Sequence, residues 1–295
     1  MKDYLIRAIN PNNRVRVMVA RTTATVEEFR NTHGASATST AAMGRLLTAS
    51  AMIAAPMKNE SDIATFIING GGPIGRMVTV ADSKGNVKGY CENPEADLPD
   101  RDGHLDVGGI VGTNGYLQVI QDLGLKEPYS GQVELVNGEI GMDFAQYFYT
   151  SEQIESVVSL GVLVDTDLTV KGSGGFIIQL MPDATEEDIV AVEKAVHKLE
   201  PVSSMISRGV TPEEIAEIML APLELTVLET TDIAYHCDCS LEKMERALIS
   251  LGKRDLEEII KEDGKAELVC QFCNSKHMFD EDKLRELMDI DSKEE

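Results

Sequence analysis

Four of the five cysteines stand in the last 59 residues of a 295-residue chain, as Cys237-Asp-Cys239 and Cys270-Gln-Phe-Cys273. Nothing else constrains folding as much, because a tail of that size buries proportionally little surface and needs a staple. Five cysteines are too few for a disulfide scaffold of this length. The N-terminus, Met1 to Asn10, has no apolar signal run, so the expected compartment is the reducing cytosol. Two close thiol pairs there read as a four-thiolate zinc site, with Cys237, Cys239, Cys270 and Cys273 holding one Zn2+ per chain. Such a shell is closed, and therefore structural rather than catalytic. The single residue between the first two cysteines is tighter than the usual two, and the 30-residue gap exceeds common finger spacings. His236 and His277 lie beside the cysteines as replacement ligands, although four thiols already fill a tetrahedral shell.

Zinc and disulfides compete for the same sulfurs. Ligands at ~2.3 Å from zinc place neighbouring sulfurs roughly 3.8 Å apart, whereas a disulfide needs about 2.05 Å. Metal binding supplies on the order of 10 to 16 kcal/mol in small zinc domains, more than a net stability of ~5 kcal/mol. Oxidation should therefore expel zinc and melt the tail. Short disulfide loops restrain the unfolded chain little and would not replace the metal. The spacing alone leaves two readings open, a permanent staple and a redox switch.

The rest of the chain divides by pattern. From Met1 to Pro182 short β-branched runs separated by Gly, Asn and Asp predict a mainly antiparallel sheet domain with packed helices, of α+β class. Tyr4–Ile9 with Val15–Ala20, and Val157–Asp165 with Phe176–Met181, read as hairpins, Lys171–Gly175 supplying a flexible approach to the second. Thr25-Val-Glu-Glu28 has capping-box spacing and predicts a helix start. The small-residue run Ala35–Met57 suits a buried helix. From Asp183 to Thr231 the pattern turns helical, with a cap at Thr185 opening Glu186–Leu199 and Thr211-Pro212-Glu213-Glu214 opening a second helix to Leu220. This apolar linker, 183–231, packs on the first domain or forms a masked interaction surface. The third region, 232–295, is the small C-terminal zinc-binding domain, with amphipathic helices around Leu241–Leu251, Leu256–Ile260 and Leu284–Met288.

Charge and motifs narrow the function. With 50 acidic against 27 basic residues the net charge is -23, a field that repels phosphate backbones and anionic head groups and argues against nucleic-acid or membrane partners. Leu46–Met57, an uncharged stretch, is well short of the ~20 residues a bilayer span needs. Gly70-Gly-Gly72-Pro-Ile-Gly75 fits a dinucleotide fingerprint formally, but the following Ile74–Ala81 reads as strand, not helix, so a tight hairpin turn is the better account. His33, His104, His197, His236 and His277 are scattered, and no Ser, His and acid set has a nucleophile elbow. The chain is not read as an enzyme. Cys91, in an apolar strand, is read as a small buried residue.

Taken together, Tyr235-His-Cys-Asp-Cys-Ser240, Glu245-Arg-Ala-Leu-Ile-Ser-Leu-Gly252, Cys270-Gln-Phe-Cys-Asn274 and Phe279-Asp280 resemble the zinc domain of the bacterial redox-regulated heat-shock holdases, the 33-kDa chaperonins. Gly70–Arg76, Gly85–Tyr90, Gly124–Gly131 and Ser151–Gln153 extend the resemblance over nearly the whole chain. It implies a cytoplasmic chaperone, inactive when reduced and zinc-bound, in which oxidant and heat form the disulfides Cys237 with Cys239 and Cys270 with Cys273. The zinc domain and linker then unfold, homodimers form, and unfolding client proteins are held without ATP. His277-Met278 stands where many relatives carry an aromatic residue, and Cys91 matches no family ligand. Two other functions compete. A zinc-stapled RNA- or ribosome-binding module predicts salt-sensitive polynucleotide binding and no gain on oxidation. A thiol oxidoreductase using Cys270 and Cys273 predicts catalysed disulfide exchange.

Overall fold

The computed structural model describes residues 1–197 and 199–291. Residue 198, inside the expected helix 186–199, and residues 292–295 of the expected C-terminal domain lie outside them. The chain separates into two compact units, Met1–His236 and Cys237–Glu295.

The first unit begins with β1 (Tyr4–Ile9) and β2 (Val15–Arg21), an antiparallel hairpin, followed by α1 (Thr23–His33) and α2 (Ala37–Ala54). Then come β3 (Ile63–Asn69), β4 (Met77–Asp82), β5 (Asn86–Cys91), α3 (Val107–Val111), β6 (Tyr116–Asp122) and β7 (Tyr129–Glu134). A helix α4 (Gly141–Tyr147) runs into a π-helical turn at Phe148–Glu152, and β8 (Glu155–Val164) and β9 (Val170–Leu180) form the second hairpin. The helices α5 (Glu186–Val196), α6 (Val202–Ser207) and α7 (Pro212–Leu220) precede β10 (Thr226–Asp232) and the short β11 (Ala234–Tyr235). Two sheets result, ordered β10-β1-β2-β9-β8 and β11-β5-β4-β3-β6-β7, antiparallel throughout except for β11 on β5. The α+β class and the antiparallel sheets are thus as the sequence indicates.

The helix α2 lies between the sheets, packing on β3, β4 and β5 on one side and β2, β8 and β9 on the other. That position explains its composition. A helix covered on both sides needs apolar or small residues all round rather than one stripe, and α2 is buried along nearly its whole length. The other face of the first sheet carries Val15, Val17, Val19, Phe176 and Ile178, which α6 and α7 cover with Val202, Met205, Ile206, Ile215 and Met219. The approach of α6 is close. A Cβ on Gly172 would stand 2.3 Å from the Ser203 carbonyl oxygen, and one on Gly174 2.3 Å from the Ile206 side chain.

Local differences from the sequence reading have physical causes. Lys171–Gly175 is not a flexible approach but part of β9, paired with β8, Gly172 and Gly174 making room for α6. The first helix starts at Thr23, before the Thr25 expected to cap it, because Asp3 of the neighbouring chain segment accepts hydrogen bonds from the Thr25 N–H and hydroxyl. The helix at 186 ends at Val196 instead of Leu199. Thr226–Asp232, read as the end of the helical segment, pairs antiparallel with β1, as its run of β-branched residues favours. The loop 70–76 does join β3 to β4, but the later strand starts at Met77 rather than Ile74. Its glycines serve backbone packing. A Cβ at Gly70 or Gly72 would fall within 2.4 Å of the Gly112 or Ile110 carbonyl oxygen.

The second unit contains α8 (Leu241–Ile249), α9 (Lys253–Glu262), the hairpin β12 (Lys265–Val269) and β13 (Lys276–Asp280), and α10 (Glu281–Asp291). Its buried core is small, comprising Leu248, Leu256, Phe279, Leu284 and Leu287. No described helix is long and apolar enough to cross a membrane.

Candidate metal centre

Cys237 and Cys239 sit on the extended segment that leads into α8, whose start is fixed by Ser240 accepting the Lys243 N–H. Cys270 and Cys273 occupy the turn of the β12–β13 hairpin. There Asn274 takes a left-handed conformation (φ 57°) and donates its N–H to the Cys270 carbonyl, while the Cys270 N–H reaches the Ser275 carbonyl. Asn is among the residues that enter that region readily. Two segments distant in sequence thus converge, and the four Sγ atoms all lie within 4.8 Å of one another. Cys237 and Cys270 sulfurs are 3.7 Å apart, those of Cys239 and Cys273 3.3 Å. These separations match the roughly 3.8 Å edge of a tetrahedral thiolate shell and exceed a disulfide bond by more than an ångström. The donor set fits a soft or borderline tetrahedral cation such as Zn2+.

Neither His236 nor His277 belongs to the cluster. The His277 ring instead stands 3.3 Å from the Ser275 hydroxyl, which is itself 3.3 Å from Cys239 Sγ and 3.1 Å from Cys273 Sγ. Ser275 was not anticipated from the sequence. Its position two residues after the second pair, within reach of two sulfurs, is the signal that could have pointed to it.

Electrostatics separate the thiols. Burial, reinforced by the Cys270 and Cys273 neighbours, pushes the Cys237 thiol well above its ordinary value. For Cys239 the Ser275 hydrogen bond favours the thiolate, but burial and the Cys273 thiol prevail and the value rises. Burial also opposes ionisation of Cys273, yet hydrogen bonds from the Ser275 side chain and backbone, with those of the neighbouring thiols, bring it down to about 7. The Cys273 thiolate is thus favoured and those of Cys237 and Cys239 resisted, because several negative sulfurs this close repel one another unless a cation stands among them. Cys91 lies elsewhere, at the end of β5, 7% exposed, and burial pushes its thiol up to about 12.

Comparison with known proteins agrees with this geometry. The sequence model of the Hsp33 protein family matches residues 3–280. The chain belongs to the Hsp33 family. It is 49% identical to a 33 kDa chaperonin of Clostridioides difficile over 289 residues, which cover 98% of this chain and 99% of that protein. It is 47% identical to a 33 kDa chaperonin of Bacillus subtilis, covering 97% and 98% of the two chains. The crystal structure of the Thermotoga maritima 33 kDa chaperonin, a heat shock protein 33 homolog, superposes with a TM-score of 0.91 at 38% identity, covering 99% of this chain and all of that one. Hsp33 proteins are chaperones, not enzymes, and a chaperone family binds unfolded client proteins.

Proposed function

We propose that this chain is a redox-regulated, ATP-independent holdase of the cytoplasm, held inactive by one Zn2+ on the thiolates of Cys237, Cys239, Cys270 and Cys273. The observation that carries the reading is the convergence of four thiols on a unit whose apolar core, among the described residues, is a cluster of five buried side chains. A bound zinc ion would supply the positive charge that lets all four sulfurs ionise together. Peroxide would convert Cys237 with Cys239, and Cys270 with Cys273, to disulfides. Each thiolate pair loses two electrons, and each peroxide takes them up with two protons from solvent to give two waters. The coupled sulfurs are then no longer thiolate ligands, and the small core lacks its staple. In functional terms we divide the chain into a platform (1–182), a masking segment (183–231) and a redox switch (232–295). Supporting the masking role is the apolar sheet face that α6 and α7 cover. Oxidation would release that face for unfolding clients and favour homodimers. The net charge of -23 supports protein clients over nucleic acid or anionic membranes.

The decisive experiment treats reduced, zinc-loaded protein with peroxide at raised temperature and follows zinc release, together with suppression of aggregation of a chemically denatured test protein. Both should rise together and both should reverse with a dithiol and zinc. Equal activity before and after oxidation, or release of zinc without any gain, would refute the switch.

A further inference from the structure

The apolar pattern of the first sheet's inner face breaks at one end. On β2, Met18 and Ala20 belong to the core between the sheets, whereas Val15, Val17 and Val19 belong to the core under α6 and α7. Strand side chains alternate faces, so Arg16 falls on the side of Met18. Its direct cross-strand partner on β9 is Gln179, which shares the face of Ile177. A polar pair therefore occupies a face that folding alone would fill with apolar residues, and such breaks in patterning mark functional positions.

Both residues line an open pocket of about 740 Å³, formed where α2 ends, with Met18, Ile53, Met57, Leu123, Phe148 and Ile154 as apolar walls. Small-molecule sites have this size and this mixture of apolar lining with a few convergent polar groups. Gln179 is only 4% exposed, yet its amide has no hydrogen-bond partner among the described residues. Arg16 is half-buried and likewise without a carboxylate partner among them. The acids in the lining do not satisfy it. Asp62 accepts the Asn59 backbone and side-chain N–H groups, and burial pushes the Glu152 carboxyl toward its neutral form. Lys58 adds a second cation to the lining.

We propose that this pocket binds a free anionic amphiphile of small-molecule size, its carboxylate or like head taking hydrogen bonds from Arg16 and Gln179, its apolar body lying against Met18, Met57 and Phe148. The planar guanidinium fork suits a two-oxygen anion, and a charge-assisted bond in a recess shielded by apolar walls is stronger than one on an open surface. The chain's own field disfavours anions, so uncommitted donors here are not a by-product of composition. The site is independent of the thiols and of the redox reading.

The test uses the full reduced chain with methyl-labelled methionine and titrates decanoate below its aggregation threshold, with decanol as the uncharged control. The Met18 and Met57 methyl resonances should shift saturably, while those of Met142 and Met278, 54% and 56% exposed and outside the pocket, stay fixed. Decanoate should bind about tenfold or more tightly than decanol, and Arg16→Gln should abolish that difference while leaving decanol binding intact, which also shows that the variant is folded. Equal affinity for acid and alcohol, an Arg16→Gln variant that keeps the preference, or parallel shifts at Met142 would overturn the proposal. So would co-sedimentation with phosphatidylglycerol vesicles that Arg16→Gln abolishes, because the head would then belong to a membrane surface and not to a free ligand.

Discussion

Gly172→Ala isolates the cover of the first sheet from the redox chemistry. Gly172 lies in β9 beside the point where its pairing with β8 shifts register, but outside the left-handed region, so the effect of alanine there is mainly steric. The added Cβ would stand 2.3 Å from the Ser203 carbonyl oxygen and 2.9 Å from the Ser207 nitrogen, both on the backbone of α6. Restoring ordinary contact moves α6 outward by roughly 1 Å, and a gap of that size forfeits about a quarter to a half of the dispersion contact. The helix buries Val202, Met205 and Ile206, each no more than 2% exposed. At ~1.5 to 3 kcal/mol for each buried side chain, the loss is about 1 to 4 kcal/mol. Local opening of the cover should rise by about tenfold at 1.4 kcal/mol and more beyond it. Hydrogen exchange of the α6 amides in reduced, zinc-loaded protein measures the opening, and aggregation of a denatured test protein measures the consequence. Faster α6 exchange with partial chaperone activity before any oxidation is expected. Faster exchange with no activity would mean that the covered face does not hold clients, and unchanged exchange would refute the steric reasoning itself.

Phe279→Ala removes the largest side chain of the five-residue core of the second unit and should cost about 3 to 5 kcal/mol; calorimetry should show the 237–291 transition falling in temperature while that of 1–236 stays in place. Glu27 is held below its usual range chiefly by the Arg30 hydrogen bond, with the Val170 N–H assisting against burial. A depressed carboxyl stabilises the fold above its ordinary value of 4.5, and that contribution disappears as pH falls through the folded-state value. Glu27→Gln should therefore cost about 1 kcal/mol near neutrality and make acid unfolding less steep. Cys91, with its thiol pushed up to about 12 by burial, should resist iodoacetamide at pH 8 until the first unit unfolds; alkylation at the rate of an open thiol would contradict the burial.

Some of this architecture was legible in the sequence because one interaction dominates locally. The hairpin β1–β2 follows from two β-branched runs around Asn10-Pro11-Asn12-Asn13, and α7 from a cap, a proline and a carboxylate in order. The run that became α2 announced burial but not its cause, since only the folding of a second sheet onto its far side explains why small residues occupy every face. Thr226–Asp232 was misread because it continues an apolar helical segment, while the partner that makes it a strand, β1, lies more than 200 residues earlier. At the thiol cluster, spacing identified the four sulfurs, but not the Ser275 hydroxyl that tunes them. That required the left-handed Asn274 to turn the chain back. Arg16 and Gln179 carry no motif, and their shared inner face appears only once β2 and β9 are paired in register.

Chain order adds a constraint on how loss of the staple can reach the cover. Between α7 and Cys237 lie β10 and β11, and both are paired within the first unit, β10 along β1 and β11 on β5. Ile233, between them, is 5% exposed, and the His236 N–H is donated to the Val87 carbonyl. Melting of the 237–291 unit therefore stops at His236 unless this strap also opens. The strap itself is weak, because β10 is an edge strand with almost every side chain exposed, joined to β1 and Lys2 by surface ion pairs such as Arg7 with Glu229 and Lys2 with Asp232 that contribute little. Such elements open at the low end of a protein's stability range. Metal loss and heat would then act in series, the first removing the unit beyond Cys237 and the second releasing β10. Hydrogen exchange after zinc removal in the cold should show full loss of protection from Cys237 onward with β10 and α6 still protected, and warming should expose β10 before α6. Loss of protection in α6 ahead of β10 would mean that the helices leave the sheet without the strap, and the serial mechanism would fail.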